Sequence, residues 1–266
     1  MKTVALIFRY LFIIAILCLI SCAGNLEVRK KQEKAIKNLA EAYLRQGDYI
    51  TALKELLNAE KIYAKDPELQ NLIGTTYLIQ NNPELAIVHL KKALRLNSEF
   101  APAKNNLGTA YMAKKNWDAA IKCYKELTSN MLYVTPHYSL LNMGFAYYNK
   151  KDYKLSEKYY REALKKKPDY IKALIGIGRT KIKLNKLSDA ESFLLTADKT
   201  IEKSLKKEPK AAVLYLELAR AYKLSGNYDF SREAYKKFII LLPDNPLIYD
   251  AKKELNELDD NLINIK

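Results

Sequence analysis

The chain has 266 residues, 45 Lys and Arg against 30 Asp and Glu, a formal charge of +15, and only eight Gly and eight Pro. Sandwiches and barrels need frequent Gly and Pro turns, so this Leu-, Ala-, Lys-, Glu- and Tyr-rich composition argues against them and predicts an all-α protein. The length allows one large domain or two small ones, each with its own core.

Lys2 and Arg9 open the chain, and Leu11 to Ile20 form an uninterrupted apolar run of ten residues. A membrane-spanning helix needs roughly 20 apolar residues and a secretory h-region about 7 to 15, so residues 1–21 are expected to be a signal peptide. Leu19-Ile20-Ser21-Cys22 resembles the bacterial lipobox. That resemblance implies cleavage before Cys22 and lipidation of Cys22, with residues 22–32 as a lipidated N-terminus and short tether. Several acyl chains on one residue, at about 0.8 kcal/mol per buried CH₂, attach a protein lastingly where one chain would not. Lipoproteins retained in the inner membrane of enteric-type envelopes usually carry Asp after the cysteine. Here Ala23 follows it, which implies the periplasmic face of the outer membrane.

Without its leader the chain keeps 43 basic residues against 30 acidic ones. Such an excess attracts nucleic acid, anionic lipid or acidic polymers, and export makes nucleic acid the least expected of these. The lysines are spread over many segments, which is the pattern of a solvated surface. Cys18 falls in the leader, Cys22 is expected to be lipidated and Cys123 stands alone, so no disulfide is expected.

Beyond residue 32 the sequence repeats. Ala40, Gly74, Gly108, Gly144, Gly178 and Ala219 are each followed twelve residues later by Ala52, Ala86, Ala120, Ser156, Ala190 and Ser231. Four residues further come Leu56, Leu90, Tyr124, Tyr160, Leu194 and Tyr235. Two small residues let a pair of antiparallel helices approach closely, and the large one fills the gap between them. This pattern resembles the tetratricopeptide repeat. It covers 33–245 in six copies, at approximately 33–66, 67–100, 101–136, 137–170, 171–211 and 212–245. The expected fold is a right-handed superhelical solenoid of about six helix pairs, with residues 246–266 as a capping helix over the last apolar face. Gly or Asn is available for the left-handed position of each turn inside a pair, and Asp, Ser or Asn to start the second helix.

The 34-residue period fails twice. Gly108 and Gly144 are 36 residues apart, and Gly178 and Ala219 are 41 apart. The second excess contains no helix breaker, so the fifth second-helix is expected to be longer. The first excess falls in "SNMLYVTP", which reads as a loop or an early helix end before Pro136.

No catalytic constellation, phosphate loop or CxxC pair is present in the sequence, so no catalytic residue, metal site, cofactor or small-molecule substrate is expected. His89 and Cys123 hold equivalent positions in successive repeats, too far apart to share one zinc ion without further ligands. The expected activity is binding a protein partner along the first helices of the pairs. The candidate residues there are Asn71, Thr75, Asn105, Asn106, Thr109, Tyr138, Asn142, Tyr148, Arg179, Lys183 and Arg220. Asparagines can donate to and accept from a partner's backbone, the aromatics offer apolar contact, and the basic end favours acidic residues. A carboxylate clamp of the chaperone-binding type is not expected, because Lys37 is followed by Glu41 where that clamp has Asn.

A lipobox, six repeats, a cap and the segment with Tyr133, Pro136, Leu140, Leu141, Asn142 and Gly144 together resemble the PilF/PilW group of tetratricopeptide pilotin lipoproteins. The resemblance implies a non-enzymatic role in type IV pilus biogenesis, in which the partner is a pilus secretin subunit. A general cell-envelope adaptor, in β-barrel assembly, peptidoglycan regulation or polysaccharide export, fits the same repeats and lipid anchor.

Overall fold

The computed structural model describes residues 25–129 and 134–263. The leader, Cys22 and residues 130–133, including Tyr133, lie outside the described residues. Those described form thirteen α-helices and no strand. They are α1 (25–46), α2 (Tyr49–Ile62), α3 (Pro67–Ile79), α4 (Pro83–Leu96), α5 (Ala101–Ala113), α6 (Trp117–Ser129) and α7 (Pro136–Asn149). Then come α8 (Tyr153–Lys166), α9 (Ile171–Lys183), α10 (Leu187–Leu205), a 3₁₀ helix (Pro209–Val213), α11 (Leu214–Ser225), α12 (Tyr228–Leu241) and α13 (Ile248–Ile263). The chain divides into two compact units at the turn between α5 and α6, one ending at Asn116 and the other beginning at Trp117.

Helix α1 begins at residue 25, inside the stretch 22–32 expected to be a lipidated N-terminus and short tether. Its first turns, Asn25-Leu26-Glu27-Val28-Arg29-Lys30-Lys31-Gln32, contain no Gly or Pro, so nothing interrupts the helix. Arg29 donates from Nε to the carbonyl of Ile62 at 2.8 Å and ties this turn to the end of α2.

Turn chemistry explains where the helices start. Asp48 accepts from the backbone N–H of Thr51, Asn82 from that of Leu85 and Asp152 from that of Leu155, each satisfying one of the unpaired N–H groups of a first turn. Gly47, Asn81, Asn185 and Gly226 take the left-handed conformation in the turns preceding α2, α4, α10 and α12. In "AKKNWD" and "NKKDYK" the expectation fails in detail. Lys115 and Lys151 are the left-handed residues, at φ 56° and 64°. The turn has a fixed register relative to the helix that follows it, so whichever residue stands there must adopt αL.

In the first unit α3 packs on α4, and α2 and α5 flank them. Ala40, Leu56, Ala59, Leu69 and Ile73 form one buried cluster. Burying each Leu or Ile contributes about 1.5–3 kcal/mol. Gly74 leaves room for Leu90, because a Cβ there would lie 2.6 Å from its Cγ and force it to shift.

In the second unit α7 pairs with α8, α9 with α10, α11 with α12, and α13 lies against α12. Tyr160 of α8 is 4 % exposed, and its ring fills the space left by two glycines. A Cβ on Gly144 would come within 2.6 Å of it and one on Gly176 within 2.5 Å. Ser156 donates to the carbonyl of Gly144 and Ser231 to that of Ala219, both at 2.9 Å. At these two positions the small residue required for close approach also satisfies a carbonyl of the paired helix.

The two irregular spacings resolve differently. α10 is longer than its counterparts, with 19 residues where α4 and α8 have 14, and the chain then returns through the 3₁₀ helix. In the other irregular stretch α6 runs to Ser129 and Pro136 is the first residue of α7, a position where its missing N–H and fixed φ suit a helix start.

Candidate partner-binding surfaces

Each unit carries its own candidate surface on the first helices of its pairs. In the first unit the polar residues interlock. Asn71 and Thr75 stand one turn apart on α3, and Asn106 of α5 donates from Nδ2 to Oδ1 of Asn71 at 2.9 Å and to Oγ1 of Thr75 at 3.0 Å. Asn105 donates weakly to Oδ1 of Asn106 at 3.4 Å. Oδ1 of Asn105 is buried without a hydrogen-bond partner among the described residues. An unpaired buried acceptor is destabilising. Thr109, exposed one turn further along α5, donates its hydroxyl to the carbonyl of Asn105.

Lys37, which a carboxylate clamp would need free, is buried instead. Its ammonium meets Asp66 at 2.5 Å and Glu68 at 2.9 Å. Glu33 lies one turn before it on α1, and burial followed by the charge of Asp66 pushes its carboxyl up to about 7.

In the second unit the surface is aromatic and basic. Tyr148 lies beneath the guanidinium of Arg179, 5.2 Å from carbon to ring centroid. Among the described residues, Nε of Arg179 is buried without a hydrogen-bond partner and Arg179 has no ion pair. Tyr138 is 48 % exposed at the start of α7, with its ring edge-on to Tyr170 at 5.9 Å. Asn142 is half-buried one turn further along α7, and Lys183 is exposed at the end of α9.

Arg220 is differently employed. It makes two hydrogen bonds to Glu254 of α13, at 2.9 and 2.6 Å, and Tyr235 donates its hydroxyl to the same carboxylate at 2.7 Å. The hydrogen bonds from Arg220 lower the pKa of Glu254 from its ordinary value, with Tyr235 adding to the effect. Its charge therefore anchors the last helix.

Phe145 was not singled out in the sequence, yet it is 39 % exposed and edge-on to Trp117 at 6.2 Å. The available signal was register. Phe145 follows Gly144 as Thr75 follows Gly74 and Arg179 follows Gly178, so it occupies the equivalent position on its helix.

His89 donates from Nδ1 to Oε1 of Gln70 at 2.9 Å and stacks on Tyr77. Cys123 is a buried thiol. Among the described residues no three His, Cys, Asp or Glu side chains are grouped to hold a metal ion, and no helix is long and apolar enough to cross a membrane.

Tetratricopeptide-repeat family models match residues 77–131 and 137–170. No curated protein sequence matches the chain. Among solved structures, that of PilW, described as a widely conserved type IV pilus biogenesis factor, is 20% identical with a TM-score of 0.65, covering 80% of this chain and 95% of PilW. The pilF protein of Pseudomonas aeruginosa is 18% identical with a TM-score of 0.61, covering 85% of this chain and 99% of the other. A tetratricopeptide repeat protein from Parabacteroides merdae is 19% identical with a TM-score of 0.66, covering 85% and 83%. The chain thus carries tetratricopeptide repeats, and its fold is that of a tetratricopeptide-repeat solenoid of about six helix pairs with a terminal cap.

Proposed function

We propose that this protein is a non-enzymatic, lipid-anchored scaffold that holds an unassembled secretin subunit during type IV pilus biogenesis. Tetratricopeptide repeats bind protein partners, and the polar and aromatic faces described above are of the kind that grips an extended or helical segment. The observation that carries the pilus reading is the extent of the likeness to PilW and pilF, which takes in 95% and 99% of those chains. It extends over nearly their whole length, well beyond one pair of repeats. The lipobox-like Leu19-Ile20-Ser21-Cys22 supports it from the sequence side. In this reading the lipid supplies the address, at the periplasmic face of the outer membrane. The solenoid covers apolar surface that an unassembled subunit would otherwise expose to aggregation.

The test is deletion of the gene, with surface pili counted and secretin multimers followed on denaturing gels. Loss of both is expected, and intact multimers in the deletion strain would overturn the reading. Cys22→Ala should release the protein from the membrane fraction. In-cell crosslinking from Phe145, followed by identification of the captured chain, tests the partner directly.

A further inference from the structure

The residues by which the fifth repeat exceeds its period do more than lengthen α10. The chain returns through Lys206, Lys207 and Glu208 into the 3₁₀ helix, and this return forms one wall of a cavity of about 470 Å³. Residues of the turn between α8 and α9 line it as well. Such a volume lies within the range of roughly 300–1,000 Å³ typical of ligand sites. Lys167 and Lys172 line it from one side, Lys207 and Lys210 from the other, and Tyr138 and Tyr170 supply apolar surface.

Three other lysines of the same unit are neutralised by carboxylates. Lys181 is held by Glu157 and Asp189, Lys237 by Asp198 and Glu202, and Lys150 by Asp118. None of the four cavity lysines forms an ion pair among the described residues. Lys167 instead lies over the ring of Tyr170, 5.4 Å from its centroid. Asp169 and Glu208 also line the cavity, so a surplus of positive charge remains. Burial, then the neighbouring Tyr138, pushes the Tyr170 hydroxyl up to about 12, which keeps it protonated and able to donate. Tyr138, Lys172 and Val213 hold equivalent positions at the starts of three successive repeats, and all three are exposed. The cavity therefore lies at the edge of the candidate binding face.

We infer that this cavity takes a short acidic peptide segment of a protein partner, its carboxylates meeting Lys172, Lys207 and Lys210 and an aromatic side chain resting on Tyr138 and Tyr170. A lone small anion would leave both rings unused, whereas an acidic segment bearing an aromatic residue matches both parts of the lining. The inference rests on the reading of the chain as a protein-binding scaffold.

The probe is a fluorescein-labelled Glu-Glu-Phe-Glu-Glu peptide, titrated with the detergent-solubilised full chain and read by fluorescence anisotropy. Binding should weaken as salt rises. Lys207→Glu with Lys210→Glu, both exposed positions, should lower affinity about tenfold. Lys154→Glu with Lys252→Glu, exposed positions that do not line this cavity, should change it less than about twofold. Replacing Phe by Ala in the peptide should weaken binding to the native chain and leave binding to Tyr170→Leu unchanged. Equal losses from the two charge-reversed pairs would show general basicity and overturn the inference, as would full displacement by inorganic phosphate. If the peptide fails while in-cell crosslinking still captures a partner, only this inference falls.

Discussion

The two units fill the same repeat frame with different chemistry. The largest fully buried side chains of the first are aliphatic, namely Leu56, Leu69, Ile73 and Leu90. Those of the second include Tyr124, Tyr215, Tyr222, Tyr235 and Phe238. Leu90 packs against one glycine, Gly74, whereas Tyr160 at the equivalent position packs against two, Gly144 and Gly176, on successive first helices. A tyrosine ring is long enough to reach across a helix pair into the next one, and it ends in a hydroxyl that needs a partner. The first unit buries two charged residues, Glu33 and Lys37, and the uncharged Gln70 and Thr76. The lesson is that one sequence period supports two kinds of joint, and in the aromatic kind the large side chain itself carries a polar atom into the repeat core.

The largest effects should come from breaking the aromatic joint. Tyr160→Ala should cost about 3–5 kcal/mol, comparable to other aromatic-to-alanine changes in cores. Gly176→Ala should cost about 1–3 kcal/mol through overpacking against the ring, even though Ala is the better helix former by about 1 kcal/mol. Gly176→Ala combined with Tyr160→Leu should be less destabilised than the two single changes predict together, because the shorter side chain frees the space the new methyl needs. Urea unfolding of the four chains reads this coupling. Additive losses would mean that the ring does not depend on the second glycine, and the contrast with Leu90 would disappear.

The charged burial of the first unit predicts a pH effect of intermediate size. Glu33 is 3 % exposed, its Oε1 has no hydrogen-bond partner among the described residues, and its charged neighbours are Lys37, Asp66 and Glu68. Burial and then Asp66 raise its pKa to about 7 from 4.5, while Lys37 opposes the rise. The folded chain therefore holds this proton more tightly than the unfolded one. The stabilisation is full below about pH 4.5, declines as pH rises, and is lost above about pH 7. Glu33→Gln should leave stability at pH 4 nearly unchanged and raise it at pH 8. The gain is bounded by about 3 kcal/mol, from 1.36 kcal/mol per pKa unit. Melting curves at the two pH values decide it, and an equal change at both would remove Glu33 as the titrating group.

Much of this was legible in the sequence because the repeat is a steric rule. The small residues at Ala40, Gly74, Gly144, Gly178 and Ala219 and the large ones that face them must alternate at fixed spacing for the helices to pack. Contacts between segments distant in sequence were not legible. That Gly176 serves Tyr160, that Glu254 claims Arg220, and that Lys37 lies between Asp66 and Glu68 depend on which turn of one helix meets which turn of another. Periodicity does not encode that choice. The polar face was read residue by residue, so Phe145 escaped notice although its position after Gly144 marks it. The cavity beside the 3₁₀ helix depends on how extra chain returns after α10, and a count of excess residues gives only its length.

The smallest expected effect separates two phenols of the second unit that are alike in burial. The hydroxyl of Tyr235 donates to Glu254 at 2.7 Å, whereas that of Tyr222 is buried with no partner among the described residues. Tyr235→Phe should cost about 1 kcal/mol, below the roughly 1.5–3 of a charge-assisted bond, because Arg220 continues to hold the carboxylate. Tyr222→Phe should be neutral or slightly stabilising, since it removes a desolvated group and no bond. The two also differ in pH dependence. The depressed pKa of Glu254 stabilises the fold above its unfolded value, and this contribution is lost as pH falls through the folded one. Acid should therefore reduce the penalty of Tyr235→Phe and leave Tyr222→Phe unmoved. Equal penalties for the two at neutral pH would mean that the ring alone matters, and that the aromatic joint differs from the aliphatic one in size and not in polarity.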